Sequence, residues 1–282
     1  VPSGRIGDMS RIPPRPVIGV LHPGAMGAAV GAALRPAAGS VIWAAAGRSK
    51  ETSKRAELAD LVGVPDVAAL ARRADVIVSV CPPQAALEVA EEVGAALGTS
   101  ARRPVYVDAN AVAPGTVRRI GDLLGVDDAV DGAIIGPPAW ERGRTVLWLS
   151  GPAAADVAAL FARSPFDARV LGPDLGTASA LKACFALQSK ALPAIWLEIA
   201  EAARGYHVED ALRGELARFG VDYRAAVDAA TGKESSAWRW AGEMDEAAAT
   251  MAALGLPDGF SRAAGELYRR LAEGRLNRTS EP

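Results

Sequence analysis

The sequence predicts a doubly wound α/β domain with a mostly parallel sheet, followed by an all-α domain, and three observations predict it. First, short apolar, β-branched runs at residues 17–21, 40–44, 75–80, 104–107, 130–135 and 146–150 read as strands. Several are apolar throughout, the pattern of strands covered on both faces of a parallel sheet. Second, segments of helical spacing alternate with them at 24–34, 50–61, 66–73, 83–97 and 114–124. Pro114 suits a helix's first turn, where a missing N–H costs nothing. Alternating β and α elements build a doubly wound sheet. Third, the character changes after Gly172-Pro173. Residues 175–203 form one Ala/Leu-rich helical stretch interrupted only by Pro193, and 209–219, 223–230, 236–254 and 261–271 follow with helical spacing and no convincing strand. The expected organisation is therefore residues 16–172 as the α/β domain and 173–282 as the helical domain. Residues 1–15, polar and rich in Pro and Arg, read as a disordered or appended N-terminus in which Met9 is a candidate start.

Composition excludes several classes. The formal net charge of the 282 residues is −2, and no long basic block marks a nucleic-acid surface. No apolar run approaches the roughly 20 residues of a membrane span, and no signal-type stretch opens the chain. Two cysteines, Cys81 and Cys184, give neither a disulfide framework nor a metal-ligand spacing, so a reducing, cytoplasmic protein without a metal is expected. Small apolar faces on the helical domain predict a homodimer through it. Only five residues are lysine, Arg filling most basic positions, so a lysine in apolar surroundings draws attention.

The first strand runs directly into His22-Pro23-Gly24 and a helix beginning near Ala25. A strand, a Gly-bearing turn and a helix N-terminus together bind a pyrophosphate, because the first helical amides lack intrahelical acceptors and carry partial positive charge. This is the dinucleotide site of a Rossmann domain, with Gly27 and Gly31 placed for close helix packing. His22, Pro23, Gly24, Ala25 and Met26 are the candidate phosphate-binding residues. An NAD site carries an acid at the tip of the second strand; here the tip is Ala45-Ala46-Gly47-Arg48-Ser49-Lys50. A guanidinium at Arg48, with Ser49 and Lys50 beside it, fits a 2′-phosphate and hence NADP(H). The competing reading of Arg48 is an exposed surface arginine.

Five segments carry a resemblance: Gly19-Val20-Leu21-His22-Pro23-Gly24-Ala25-Met26-Gly27, Ser79-Val80-Cys81-Pro82-Pro83, Val107-Asp108-Ala109-Asn110, Asp131-Gly132-Ala133-Ile134-Ile135-Gly136-Pro137-Pro138, and Gly176 through Lys182. With them the chain resembles the β-hydroxyacid dehydrogenase superfamily, which includes 3-hydroxyisobutyrate and 6-phosphogluconate dehydrogenases and imine reductases. It looks most like a bacterial branch of NAD(P)-dependent oxidoreductases with a phosphogluconate-dehydrogenase-like C-terminal domain. The resemblance implies that Cys81, Pro82 and Pro83 cover the cofactor ribose, that Asn110 lies near nicotinamide and substrate, and that Lys182 is the catalytic lysine moving a proton while hydride moves on the nicotinamide. Leu181, Cys184, Phe185 and Leu187 surround Lys182 in sequence, and desolvation lowers a lysine's pKa toward the working range. The competing reading is a snorkelling lysine on a helix flank; Lys190 reads as structural.

Three departures from the superfamily pattern bear on substrate. His22-Pro23 stands where a glycine usually begins the turn, so the pyrophosphate depends on the amides of Gly24, Ala25 and Met26, with His22 a possible further donor. Ile135-Gly136-Pro137 stands where the dehydrogenases place a Ser-Gly-Gly run for a substrate carboxylate. Ile and Pro supply no side-chain donor, so an uncharged substrate fits better unless Arg142 or Arg144 reaches in. Ala186 replaces the Asn that partners the lysine, leaving Gln188 or Ser179 as substitutes. Trp240, with Trp238, reads either as lining of a substrate cavity or as packing; Glu243, Asp245 and Glu246 read as a charged helix face and His207 as a surface residue. The expected function is an NADPH-dependent oxidoreductase acting on a small carbonyl or hydroxy compound at an interdomain cleft. The alternatives are an imine reductase and, from another class, a non-catalytic NADP-binding sensor.

Overall fold

The computed structural model describes residues 11–98, 103–126, 128–232 and 234–274. Their contacts divide the chain into two compact units. One holds the chain up to Cys81, Ala85–Asn110 and Pro114–Ser179; the other holds Pro82–Gln84, Ala111–Ala113 and the chain from Ala180 onward.

The first unit is built on one eight-stranded sheet: β1 (Val17–Val20), β2 (Ser40–Ala44), β3 (Val62–Val64), β4 (Val76–Ser79), β5 (Val105–Asp108), β6 (Val130–Ile135), β7 (Val146–Ser150) and β8 (Asp167–Gly172). Their order is β3-β2-β1-β4-β5-β6-β7-β8, with every pair parallel except β6 and β7. The helices are α1 (Ala25–Leu34), α2 (Lys50–Leu58), α3 (Val67–Arg73), α4 (Ala86–Leu97), α5 (Pro114–Leu124) and α6 (Ala154–Leu160). Reversal of strand order between β1 and β4 sends right-handed crossovers to opposite faces of the sheet, which explains why the central strands are largely apolar. Ile18, Val20, Val76, Val78, Val107 and Val130 are all buried. The lack of a Cβ at Gly19 lets Leu70 of α3 press onto β1, since a Cβ there would lie 2.5 Å from the leucine's Cδ2.

Strands β3 and β8 and helix α6 were not anticipated by the hydropathy pattern, because β3 is three residues long and β8 is an edge strand whose residues are exposed or half-buried. Residues 1–10 of the expected disordered stretch lie outside the described residues. Ile12, however, is buried in the core, and Arg11 pairs with Asp128 and donates its backbone N–H to Asp156, so packing begins ahead of residue 16.

The second unit is helical. It contains the later part of α7 (Thr177–Ala186), a π-helical turn at Leu187–Ala191, α8 (Leu192–Gly205), α9 (Glu209–Arg218), α10 (Tyr223–Thr231), α11 (Glu234–Ala252) and α12 (Gly259–Ala272). The single helix expected over 175–203 is thus divided by a wider turn, in which the Leu192 N–H reaches back to the Leu187 carbonyl. Pro193, which has no N–H, follows directly in the first turn of α8, beside the wider turn. Alanines at 194, 237, 241, 247 and 264 let the helices pack closely around Met244, Tyr268 and Leu271. Among the described residues no helix is long and apolar enough to cross a membrane.

Candidate active site

In the first unit β1, β2, β4, β5 and β6 are mutually parallel, so their C-terminal ends share one edge of the sheet. His22, Arg48, Cys81, Asn110 and Ile135 all follow or end those strands, and the order reverses between β1 and β4, where open α/β sheets bind ligands. The turn after β1 is tight. Gly24 N–H donates to the His22 carbonyl at 2.9 Å, and a Cβ on Gly27 would stand 2.0 Å from that same oxygen. Gly27 therefore serves contact with the turn and also faces Val20 of β1, whereas Gly31 serves contact with Leu61. The Gly24 amide, expected to face a phosphate, is already engaged. That leaves the first-turn amides of Ala25 and Met26, in a helix whose N-cap has no side-chain hydrogen bond.

His22 Nδ1 and Arg48 Nε are buried and have no partner among the described residues. Burial first, and the Arg48 charge second, push the imidazole pKa down to about 4, so His22 is neutral at pH 7. Gly47, at φ +70°, supplies the left-handed residue of the turn that leads to Arg48. Ser49 is used differently from expectation: its hydroxyl caps α2, accepting the Thr52 N–H at 3.2 Å and lying 3.3 Å from Thr52 Oγ1. Lys50 is exposed on the first turn of α2.

Asn110 is 3% exposed and its amide is largely spent within the protein. Oδ1 accepts the Cys81 N–H at 2.6 Å, and Nδ2 donates to Asp108 Oδ2 at 2.8 Å and Ser79 Oγ at 3.1 Å. Ser79 and Asp108 are register partners on β4 and β5. Asn110 thus ties the loop after β4 to the end of β5, and both of its amide protons are committed. Burial pushes the Cys81 thiol up to about 12, so it stays protonated. Pro82 and Pro83 belong to the second unit, with Pro83 buried.

The sequence reading gave Asp131 of β6 no role, yet it is fully buried. Oδ1 accepts the Ser179 hydroxyl at 2.7 Å, while Oδ2 accepts the Ser179 N–H at 2.8 Å and the Ser150 hydroxyl at 3.2 Å; Ser150 Oγ in turn accepts the Ala178 N–H. Burial raises the carboxyl's pKa, against these hydrogen bonds. The network anchors the first turn of α7 to the sheet, and it takes Ser179 away from the role of partner to Lys182. Beyond β6, Gly136 has φ +133° and a Cβ there would lie 2.4 Å from the Arg144 carbonyl. The Pro137 carbonyl accepts the Thr145 hydroxyl at 2.6 Å. Ile135 is half-buried and Gly136 and Pro137 are exposed, as are Arg142 and Arg144.

In the second unit Lys182 lines a small cleft with Ala111, Val112, Ala186, Glu243 and Glu246, with a volume of about 10 Å³, room for roughly one water molecule. Desolvation first, then the charge of Lys190, pushes the Lys182 amine down to about 8; Glu243 opposes this and Arg239 adds to it. The desolvating surroundings are not the sequence neighbours proposed for it, since Cys184 and Phe185 are exposed. Glu243 is buried rather than on a charged face and pairs with Lys190. Trp240 stacks edge-on against Tyr268, with centroids 5.3 Å apart, and packs on the helical core. Gln188 lies on the wall of a separate apolar cavity. His207 is exposed, as expected.

A mostly parallel eight-stranded sheet followed by a bundle of helices is the fold of the 3-hydroxyacid dehydrogenases, and comparison with known proteins bears out the resemblance to the superfamily of those dehydrogenases and the imine reductases. A family described as a domain of unknown function, DUF1932, matches residues 203–271. A conserved protein of unknown function, whose solved structure is described as similar to 3-hydroxyacid dehydrogenases, is 25% identical; the match covers 92% of this chain and 98% of that one, with a TM-score of 0.64. Mycobacterium tuberculosis 3-hydroxyisobutyrate dehydrogenase, solved with L-serine, is 16% identical over 92% of this chain and 94% of that chain, TM-score 0.65. An Aspergillus terreus reductive aminase, in complex with NADPH and ethyl levulinate, is 18% identical over 92% and 95%, TM-score 0.54. An uncharacterized 28.5 kDa protein of Methanothermus fervidus is 30% identical over 166 residues, a match spanning 59% of this chain and 62% of that relative's length.

Proposed function

We propose that the chain is an NADP-dependent oxidoreductase that transfers hydride to or from a small carbonyl or hydroxy compound. The observation that carries this reading is the pair of buried, unpartnered nitrogens, His22 Nδ1 and Arg48 Nε, beside the first-turn amides of α1 in a chain with this fold. Arg48 holds a 2′-phosphate, the Ala25 and Met26 amides face the pyrophosphate, and neutral His22 adds one hydrogen bond. Lys50 adds positive charge nearby, and Ser49 sets the start of α2. Cys81, as a neutral thiol, and Pro82 and Pro83 shape the loop around the cofactor, with Asn110 positioning that loop instead of touching substrate. A bound nicotinamide supplies or accepts the hydride. Lys182 handles the accompanying proton: with its pKa at about 8, about a quarter of the amines are neutral at pH 7.5.

Ile135, Gly136 and Pro137 offer a substrate carboxylate no side-chain donor, and Thr145 occupies the Pro137 carbonyl. That favours uncharged carbonyls, and it favours imines as the second reading. Trp240 contributes packing against Tyr268 and the helical core. A dimer through the helical unit is supported by exposed Phe185, Leu192, Ile195 and Phe260, the last three lining an apolar cavity of about 370 Å³; light scattering on the eluting protein tests it. For activity, NADPH consumption is followed against aldehydes, ketones and cyclic imines. Turnover on at least one class is expected, with Lys182→Met lowering kcat at least about a hundredfold and leaving NADPH affinity unchanged. Tight NADPH binding without turnover on any panel member is the outcome that selects a sensor.

A further inference from the structure

Glu243, a buried carboxylate of the second unit, pairs with Lys190 and lines the cleft that holds Lys182. Lys190, in the π turn, donates to Glu243 Oε2, and both side chains are about nine-tenths buried. The other oxygen, Oε1, lies 3.5 Å from Arg239 Nε. The π turn is held in place around this pair: the Tyr268 hydroxyl donates to the Lys190 carbonyl at 2.7 Å, and the Trp240 ring centroid lies 5.9 Å from Lys190 Nζ. Glu243 also lines the one-water cleft that contains Lys182. Glu246, on the same cleft, accepts the Ala113 N–H at 2.6 Å.

We propose that Lys190, by holding Glu243, withholds that carboxylate from Lys182 and so keeps Lys182 a proton-exchanging amine near neutral pH. The proposal rests on the reading of Lys182 as the proton-transfer group and makes Lys190 a positioning residue for it. A buried carboxylate without a counter-ion is strongly disfavoured and takes the nearest ammonium. With Lys190 present, Glu243 is neutralised where it stands, and the Lys190 charge further disfavours a second ammonium at Lys182. Without Lys190, Glu243 keeps only Arg239, at 3.5 Å, as a cationic partner, and the attraction it already exerts on Lys182 is less offset. The charged groups facing Lys182 are Lys190 from the π turn and Arg239, Glu243 and Glu246 from α11. Loss of Lys190 removes a repulsive charge and releases an attractive one, so both changes act in the same direction.

The test is competitive labelling of the full-length protein with acetic anhydride across pH, read peptide by peptide by mass spectrometry. Exposed Lys50 and Lys54 serve as references. Lys182 is expected to titrate near 8 in the unsubstituted protein. In Lys190→Met its midpoint rises by about one unit or more; Lys190→Gln, which keeps a donor for Glu243, is the second charge-deletion variant should the first fail to fold by circular dichroism. Adding Glu243→Gln to either variant abolishes the rise, and Lys190→Arg leaves the midpoint in place. An unmoved midpoint in whichever charge-deletion variant folds, or a rise that survives Glu243→Gln, overturns the proposal. The readout involves no turnover and no coenzyme, so an absence of reductase activity would count against the function and not against this arrangement.

Discussion

Replacing Arg48 with alanine tests the coenzyme reading in two independent ways. On the proposed reading its guanidinium meets a phosphate present in NADPH and absent from NADH, and its Nε is buried without an acceptor among the described residues. Hydrogen bonds to charged groups contribute about 1.5–3 kcal/mol each, so loss of the pairing weakens NADPH binding by about tenfold to a hundredfold and leaves NADH nearly unchanged. The same substitution acts on His22. Burial is the larger cause of its low pKa and Arg48 the smaller, so in Arg48→Ala the His22 pKa rises from about 4 but remains below the ordinary imidazole value of about 6.5. Titration calorimetry with each coenzyme measures the first effect. Imidazole NMR of the free protein measures the second, with exposed His207 as the internal standard. Equal losses for NADPH and NADH refute the 2′-phosphate assignment, and a His22 pKa that does not move refutes the proximity behind it.

His22 also predicts an acid-side loss of stability. Its folded pKa lies below its unfolded value, so its contribution is complete above about pH 6.5 and is lost as pH falls toward 4; urea midpoints for His22→Gln should be flatter over that window than for the unsubstituted protein. Asp131→Ala leaves buried donors at Ser179 and Ser150 without their acceptor, and should cost about 1–3 kcal/mol in urea unfolding; an unchanged midpoint contradicts the anchoring role. Gly27→Ala places a methyl 2.0 Å from the His22 carbonyl, so the turn must open. Coenzyme affinity should then fall at least about tenfold, checked by calorimetry on protein that retains its circular dichroism.

The central strands were legible because the sheet imposes an apolar run wherever both faces are covered, as at residues 17–20, 76–79 and 105–108. Strand β8 was not, because an edge strand carries Asp167 and Arg169 paired to each other and leaves Val170 and Leu171 exposed. The glycine turn was found where the structure has it, but hydropathy does not show which amides a turn consumes, and the Gly24 N–H bonds the His22 carbonyl. Lys182 was singled out correctly as desolvated, for reasons its neighbours in sequence do not supply. Of the charged groups that act on it, Lys190 is close in sequence, but Glu243 and Arg239 lie more than 50 positions away on α11. Helical spacing placed Glu243 on a charged face because its partner, Lys190, reaches it only through packing. Asp131 was missed for the same reason: its partners at 150, 178 and 179 are brought together by the sheet and one helix end.

The π turn at Leu187–Ala191 has a consequence for how this chain can change. It holds one residue more than a regular helix needs, and each helical residue advances the side-chain direction by about 100°. A deletion inside it removes the wide turn and leaves Pro193, which lacks an N–H, in the interior of a regular α-helix, where a proline costs about 3 kcal/mol. It would also swing Leu192, Ile195 and Leu197 about the axis and pull Lys190 out of phase with Tyr268 and Glu243. Length at this point is therefore constrained more tightly than residue identity, and homologous chains should tolerate substitutions here far better than gaps.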